Sequence, residues 1–357
     1  MVEDLSRREL IRKSGISTIA IGTAGLAGCT ASIPGIGGDD DGAALSSWLV
    51  EPDVTSVVDE DSLDDQYTNS SIETSDSQEQ TFEYVVPDTV IDNDTEIGNY
   101  NVLSLSDVRD AANQPATELD WELTQSITWE YDVSYEDDFS GSSETTETAT
   151  ADISAISGSF TPDDVEESLE EWAEGGAFGG GAELSSAGST EGFDFYEAGS
   201  DGFAVSEGYV LMSEVDQHID PVSVLEAVID GRREGTDRWT GDDDGSALLG
   251  QLSSGDLSTG FVYDDEMAET MLNQDPDEWE TGLIGFASTF DIDGETTDIS
   301  EVFLYESDRE ADPEALEEHV ERNRDVGDRW ATLGDFSVSE SDRTLTLTGT
   351  VRTQTIN

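Results

Sequence analysis

Apolar and polar positions alternate with a period of two along much of this chain. That period places successive side chains on opposite faces of a strand. β-branched and aromatic runs of this kind predict strands at Leu45–Val50, Thr81–Val86, Ile127–Tyr135, Ala149–Ile156, Phe193–Tyr196, Gly202–Met212, Leu283–Phe290, Glu301–Tyr305, Phe336–Val338 and Thr344–Val351. Gly192, Gly202 and Gly208 punctuate the middle group as hairpin turns would. A helical period appears after Thr161-Pro162-Asp163-Asp164, which supplies an N-cap, an N1 proline and two acids in the first turn. Val165, Leu169 and Trp172 then form one apolar stripe, and Gly175-Gly176 ends it. The Gly-rich stretch 175–182 has no GxGxxG following a strand, so it reads as a loop rather than a phosphate cradle.

One pattern recurs. Tyr209–Ser213 is followed by Asp220-Pro221, a helical stretch, Arg232-Arg233 and Asp237-Arg238-Trp239. Val302–Ser307 is followed by Asp312-Pro313, a helical stretch, Arg322, Arg324 and Asp328-Arg329-Trp330. Each reads as strand, Asp N-cap, Pro N1, amphipathic helix, basic last turn and aromatic. The expected fold class is therefore α+β: mainly antiparallel sheets with a few packed amphipathic helices, in two related units.

The first residues follow other rules. Arg7, Arg8, Arg12 and Lys13 make a cationic start, and residues 15–28 are uncharged and mildly apolar. That run is shorter than the roughly 20 residues a spanning helix needs. It closes on Leu26-Ala27-Gly28-Cys29, where small residues admit a peptidase and Cys29 carries the nucleophilic thiol. Cys29 is the single cysteine, so an intrachain disulfide is impossible. The segment resembles the signal of lipoproteins exported by the twin-arginine route, with Glu9-Leu10 after the arginine pair as a departure. The resemblance implies passage through the twin-arginine translocase in a folded state, acylation of Cys29, and anchoring in the outer face of the cytoplasmic membrane.

The remaining chain divides by composition. Residues 1–28 read as signal peptide, 29–42 as lipidated cysteine and Gly/Asp-rich tether, 43–206 as an N-terminal α+β region, and 207–357 as a C-terminal region holding the recurring pattern. Residues 59–80 are polar and predict a long loop or insertion. Asn69-Ser70-Ser71 and Asn93-Asp94-Thr95 are glycosylation sequons.

Charge changes the picture most. The chain carries 84 Asp and Glu against 14 Lys and Arg, a net charge of −70, and its only lysine is Lys13. Such a chain repels itself in dilute salt. At 1 M salt the Debye length is about 3 Å and the repulsion is screened. The composition resembles that of haloarchaeal proteins. Seven Trp, nine Tyr and twelve Phe supply more aromatic surface than a disordered acidic chain carries. Binding to nucleic acid is not expected, because no basic surface is available.

Candidate chemistry is sparse. His319 falls on an apolar helical stripe and reads as a half-buried structural residue; His218 precedes an N-cap. HExxH, GxSxG and CxxC motifs do not occur. A blue-copper site needs two His and a Cys on the metal, and Cys29 is committed to lipid. Asp242–Gly245 and Asp291–Gly294 carry Asp-x-Asp-Gly, but Thr240 and Thr289 stand at the first position of an EF-hand loop, and Gln251 and Ser300 at the twelfth. Both are expected as solvated turns, and no cofactor or metal is expected. Six of the ten arginines beyond Lys13 are Arg232, Arg233, Arg238, Arg322, Arg324 and Arg329. They predict either helix C-terminal caps and ion pairs, or contacts to an anion. The expected role is non-catalytic binding or envelope interaction by a lipid-anchored protein, with an envelope protein or small molecule as partner. A solute-binding lipoprotein of a transporter and, behind it, a secreted hydrolase are the alternatives.

Overall fold

The computed structural model describes residues 45–59, 62–63, 67, 70–93, 107–135, 143–175, 182–216, 218–236, 238–239, 243–253, 255–272, 278–324, 330 and 332–355. The signal, Cys29, the tether, Asn69 and Arg329 lie outside them. The strands are β1 (Ser71–Val85), β2 (Leu119–Tyr135), β3 (Ser143–Gly158), β4 (Ser185–Thr190), β5 (Phe193–Ala198), β6 (Asp201–Ser206), β7 (Tyr209–Val215), β8 (Leu257–Tyr263), β9 (Leu283–Asp293), β10 (Thr296–Tyr305), β11 (Ser337–Ser341) and β12 (Thr344–Arg352). They form one antiparallel sheet in the order β11-β12-β10-β9-β8-β1-β2-β3-β7-β6-β5-β4. The helices are α1 (Leu45–Trp48), α2 (Val54–Val57), α3 (Pro87–Asp92), α4 (Asp107–Ala111), α5 (Pro162–Gly175), α6 (Pro221–Glu234), α7 (Asp243–Leu249), α8 (Asp265–Met271) and α9 (Pro313–Asn323). The expected α+β class, antiparallel sheet with packed amphipathic helices, is what is found.

Helices cover both faces. On one face, α1, α2, α6 and α7 contribute Trp48, Val54, Leu225, Val228 and Leu248 to a cluster with Leu123, Ile127, Trp129 and Val133 of β2. The other face holds two separate clusters. In one, α9 lays Leu316 and Val320 on Phe286, Phe303 and Leu347. In the other, α5 lays Val165 and Leu169 on Ile156, Phe203 and Met212. Alternation decides the side: Leu211 joins the first cluster, and Val210 and Met212 the last.

The capping signals work as read. Asp220 accepts from Ser223 N at 2.7 Å, and Asp312 accepts from Glu314 N and Ala315 N at 3.0 and 3.1 Å, each before an N1 proline. Trp239 and Trp330 are both buried. Their helices, however, pack on opposite faces of the sheet. A different correspondence runs through the connectivity. The β2–β3 hairpin leads through α5 to a meander whose last strand, β7, returns beside β3. The β9–β10 hairpin leads through α9 to β11 and β12, and β12 returns beside β10. By connectivity α9 matches α5, whereas the recurring words match α9 with α6. The division between residues 206 and 207 falls between the last residue of β6 and its turn into β7, and the sheet is continuous across it.

Three local expectations are corrected. Gly202 is a residue of β6 opposite Glu197, and the turn before it is made by Gly199 and Ser200. Leu45–Val50 is a helical turn followed by a single bridge from Val50 to Arg238, not a strand. Its apolar residues Leu45, Trp48 and Leu49 stand at i, i+3 and i+4, the helical spacing, and all are buried. Within the polar stretch 59–80, residues from Ser71 belong to β1, paired with Ile127–Ser134 of β2. The long β2 supplies the ladder, so this half-strand needs no apolar face of its own. Short β4 and β8 were missed, as were the short helices α2, α3, α4, α7 and α8. The β4–β5 turn uses Glu191 and Gly192 at φ 54 and 89, the two positive angles a tight hairpin turn requires.

Close packing is testable at Gly260 of β8. A Cβ there would meet Phe82 Cε1 at 2.6 Å, Ala287 Cβ at 2.8 Å and Phe286 O at 2.9 Å. Gly260→Ala is expected to cost about 1–3 kcal/mol through overpacking, measured by thermal melting in molar KCl.

Candidate functional site

Residues 45–58 form a strap across the first face. Leu45, Trp48, Leu49, Val50, Val54 and Val57 are all buried. Gln125 Nε2 donates to Val50 O at 2.7 Å, Trp239 N to Leu49 O at 3.1 Å, and Asp220 N to Val57 O at 2.8 Å. Trp48 lies 6.1 Å from Trp121 and 5.6 Å from Tyr209, and Tyr84 stacks on Trp121 at 6.4 Å. Arg232, in the last turn of α6, places its guanidinium 3.8 Å from the Trp48 ring centre and 5.1 Å from that of Tyr209. This is cation–π geometry.

The first arginine set is thus engaged within the fold. Arg233 pairs with Glu191, Asp230 and Glu234 at 2.7, 3.0 and 2.7 Å. Arg238 Nη2 donates to Arg232 O, closing the C-terminal turn of α6 from beyond the helix. In the second set Arg322 is exposed and Arg324 lies 6.0 Å from the Phe336 ring centre. Because α6 and α9 cover opposite faces, the two sets do not converge on one pocket.

The histidines are separate. His319 lies 5.2 Å from both Trp279 and Trp330, half-buried, with Nε2 2.7 Å from Asn323 Nδ2. His218 adopts φ 72 and its Nδ1 is 2.8 Å from Ser62 Oγ. Among the described residues, no group of three His, Cys, Asp or Glu is placed to hold a metal ion. Asp291 and Asp298 face each other across the β9–β10 hairpin. Desolvation, then Asp256 and Asp298, raises the Asp291 carboxyl above its ordinary range. Asn93, the described sequon residue, caps α3 by donating Nδ2 to Thr89 O at 2.8 Å.

Sequence reasoning missed two features. One is a cavity of about 440 Å³ between α7, the residue after β10 and the β11–β12 turn, lined by Asp243, Asp244, Glu306, Asp342, Arg343 and Thr344. Arg343 pairs with Asp244 across it. Among 84 acids its carboxylates gave no separate signal, and Arg343, an arginine outside the two recurring sets, is the one residue that could have pointed to it. The other is a carboxylate pair on the second face. Glu122 of β2 lies opposite Val85, and Glu83 of β1 opposite Thr124, on the same side. Burial, then the Glu122 charge, pushes the Glu83 carboxyl up to about 7.

No protein-family model and no curated protein matches the chain. Among solved structures, the chain is similar to TP0453 in crystal form III, with a TM-score of 0.39 and 8% identity over 77% of this chain and 91% of that one. Crystal form IV of the same protein gives a TM-score of 0.37 and 8% identity over 86% and 96%. Scores below 0.5 do not establish a shared fold, and the likeness carries no weight below.

Two outcomes follow. Arg232→Ala is expected to lower stability by about 0.5–2 kcal/mol through loss of the Trp48 contact, read as a fall in melting temperature; Arg233→Gln should lower it less. For Glu83, the folded carboxyl holds its proton more tightly than the unfolded one. Its penalty is absent below the ordinary carboxylate pKa and grows as pH rises through about 7. Glu83→Gln should therefore stabilise the protein at pH 8 by on the order of 1–3 kcal/mol, with the gain vanishing near pH 4 in parallel melts.

Proposed function

We propose that this chain is a lipid-anchored, extracytoplasmic protein with a non-catalytic binding or envelope-interaction role. The observation that supports it is the strap. The segment that follows the tether is locked into the core by Trp48, Leu49 and Val50, so Cys29 would hold a rigid body from one defined point. The reading of Arg7-Arg8 and of the Leu26–Cys29 box supplies the route and the acyl group; a two-chain anchor gives stable attachment where one chain does not.

A solute-binding role is the second reading, and the 440 Å³ cavity favours it. That cavity lies at one end of a continuous sheet rather than in a cleft between two lobes. Its mixed lining of acids and one guanidinium suits a small polar or zwitterionic solute.

The test is fractionation of cells grown in molar salt. Cys29→Ser should move the protein from the membrane pellet to the soluble exported fraction, and Arg7→Lys/Arg8→Lys should retain it inside the cell. A Cys29→Ser chain that stays in the membrane pellet would falsify the anchor.

A further inference from the structure

We propose that the cavity beside Arg343 binds a small organic zwitterion by both ends, its carboxylate on Arg343 and its ammonium on the acids around it. The proposal rests on the solute-binding reading above and names the ligand class.

Three separate segments build the site. Asp243 and Asp244 open α7, Glu306 follows β10, and Asp342 and Arg343 form the two-residue turn between β11 and β12. Ser341 and Thr344, which flank that turn, face each other in the ladder, so Arg343 is carried on a fixed hairpin. Tyr305 N donates to Arg343 O at 3.0 Å, which ties the turn to the end of β10. The volume of about 440 Å³ falls within the roughly 300–1,000 Å³ of small-molecule sites.

The lining offers both signs. A guanidinium carries five N–H donors. Arg343 commits Nη2 to Asp244, and among the described residues it meets no other acid. The side chain of Arg343 is 24% exposed and that of Asp244 33%. An ion pair this open to water holds its partners weakly. A ligand carboxylate can therefore replace Asp244 and take the guanidinium bidentately. Asp243, Glu306 and Asp342 are exposed and, among the described residues, meet no cation. Desolvation, then Glu310, Asp265 and Glu269, raises the Glu306 carboxyl above its ordinary range, so a cation beside it offsets like charges. Among the described residues no three acids converge on one metal ion. The arrangement suits an organic ammonium, which meets acids singly.

Salt decides between a zwitterion and a simple ion. Four carboxylates against one guanidinium would collect any cation in dilute salt. In molar salt the screening length is about 3 Å and only groups in contact count. Each carboxylate then faces dissolved cations and the guanidinium faces chloride. A lone ammonium or a lone carboxylate has no advantage over those ions. A molecule carrying both has one, because contact at one end holds the other at high local concentration.

The test is calorimetric titration and thermal melting of the whole chain in molar KCl. The probes are ε-aminocaproate, its two halves caproate and hexylamine, and uncharged hexanediol. The zwitterion should bind saturably, more than about tenfold tighter than either half, and raise the melting temperature as its concentration passes Kd. Arg343→Gln should reduce its affinity to that of hexylamine. Asp244→Asn, which releases Arg343 from its pair, should tighten zwitterion binding. Glu306→Gln/Asp342→Asn should weaken binding without lowering the melting temperature of the unliganded chain, both residues being exposed. Equal affinity for a half or for hexanediol, or zwitterion binding unchanged in all three variants, overturns the two-ended ligand while the solute-binding reading stands. No heat and no melting shift with any of the four probes overturns both.

Discussion

The β2–β3 pairing is the constraint on which the body depends. The two strands run in one register from Trp121 opposite Ser157 to Tyr135 opposite Ser143. On one side they present Trp121, Leu123, Ile127, Trp129, Tyr131 and Val133 with Ala149, Ala151, Ile153 and Ala155, an apolar surface interrupted only by Gln125, which donates to Val50 O of the strap. A slip of one residue would turn that surface outward and bring Thr124, Ser126 and Thr128 into the core. Both halves of the sheet hang on this hairpin: β1 pairs with its first strand and β7 with its second. The strap, α6 and α7 all pack on the face it creates.

The second face follows from the same register. Its central positions are polar, with Thr124 and Ser154 hydroxyls 3.3 Å apart and Thr128 and Thr150 3.1 Å apart. Apolar surface resumes only to either side, and there α5 and α9 settle separately. The carboxylates of Glu83 and Glu122 lie at the junction. Burial of Glu83 beside a like charge works against the ionised form, which is unusual company for a chain whose other acids are so largely solvated. The scarce cations do the opposite work. Arg232 covers the Trp48–Tyr209 aromatics and Arg238 closes the carbonyl end of α6, where a cation also meets the favourable end of the helix dipole.

The proposed function turns on how this body would be held. The strap is part of the core, so the chain from Leu45 onward is fixed at a defined place over the sheet. The cavity beside Arg343 lies at the opposite end of the sheet from Trp48.

Much of this was legible locally. Asp-Pro cap signals at 220–221 and 312–313 are read by the chain within a few residues, so the helix starts were correct. Strands with apolar alternation, such as Ile127–Tyr135, were visible because one of their faces is buried. Polar Ser71–Gln80 was not, because β2 supplies its pairing and its own side chains carry no apolar period. Short β4 and β8 carry too few positions to establish a period. The basic turns could be placed at helix ends from sequence, but whether Arg232 meets an anion or an indole depends on Trp48, 184 positions away in the chain. By itself the sequence determined the α+β class, the caps and the excess of acids, since each rests on neighbours or on composition, and it alone carries the proposal of an exported, acylated N-terminus. The tertiary structure alone decided that one sheet unites the chain, that α6 and α9 take opposite faces, and which carboxylates share a buried junction. Those outcomes rest on register between distant strands, which no local pattern encodes.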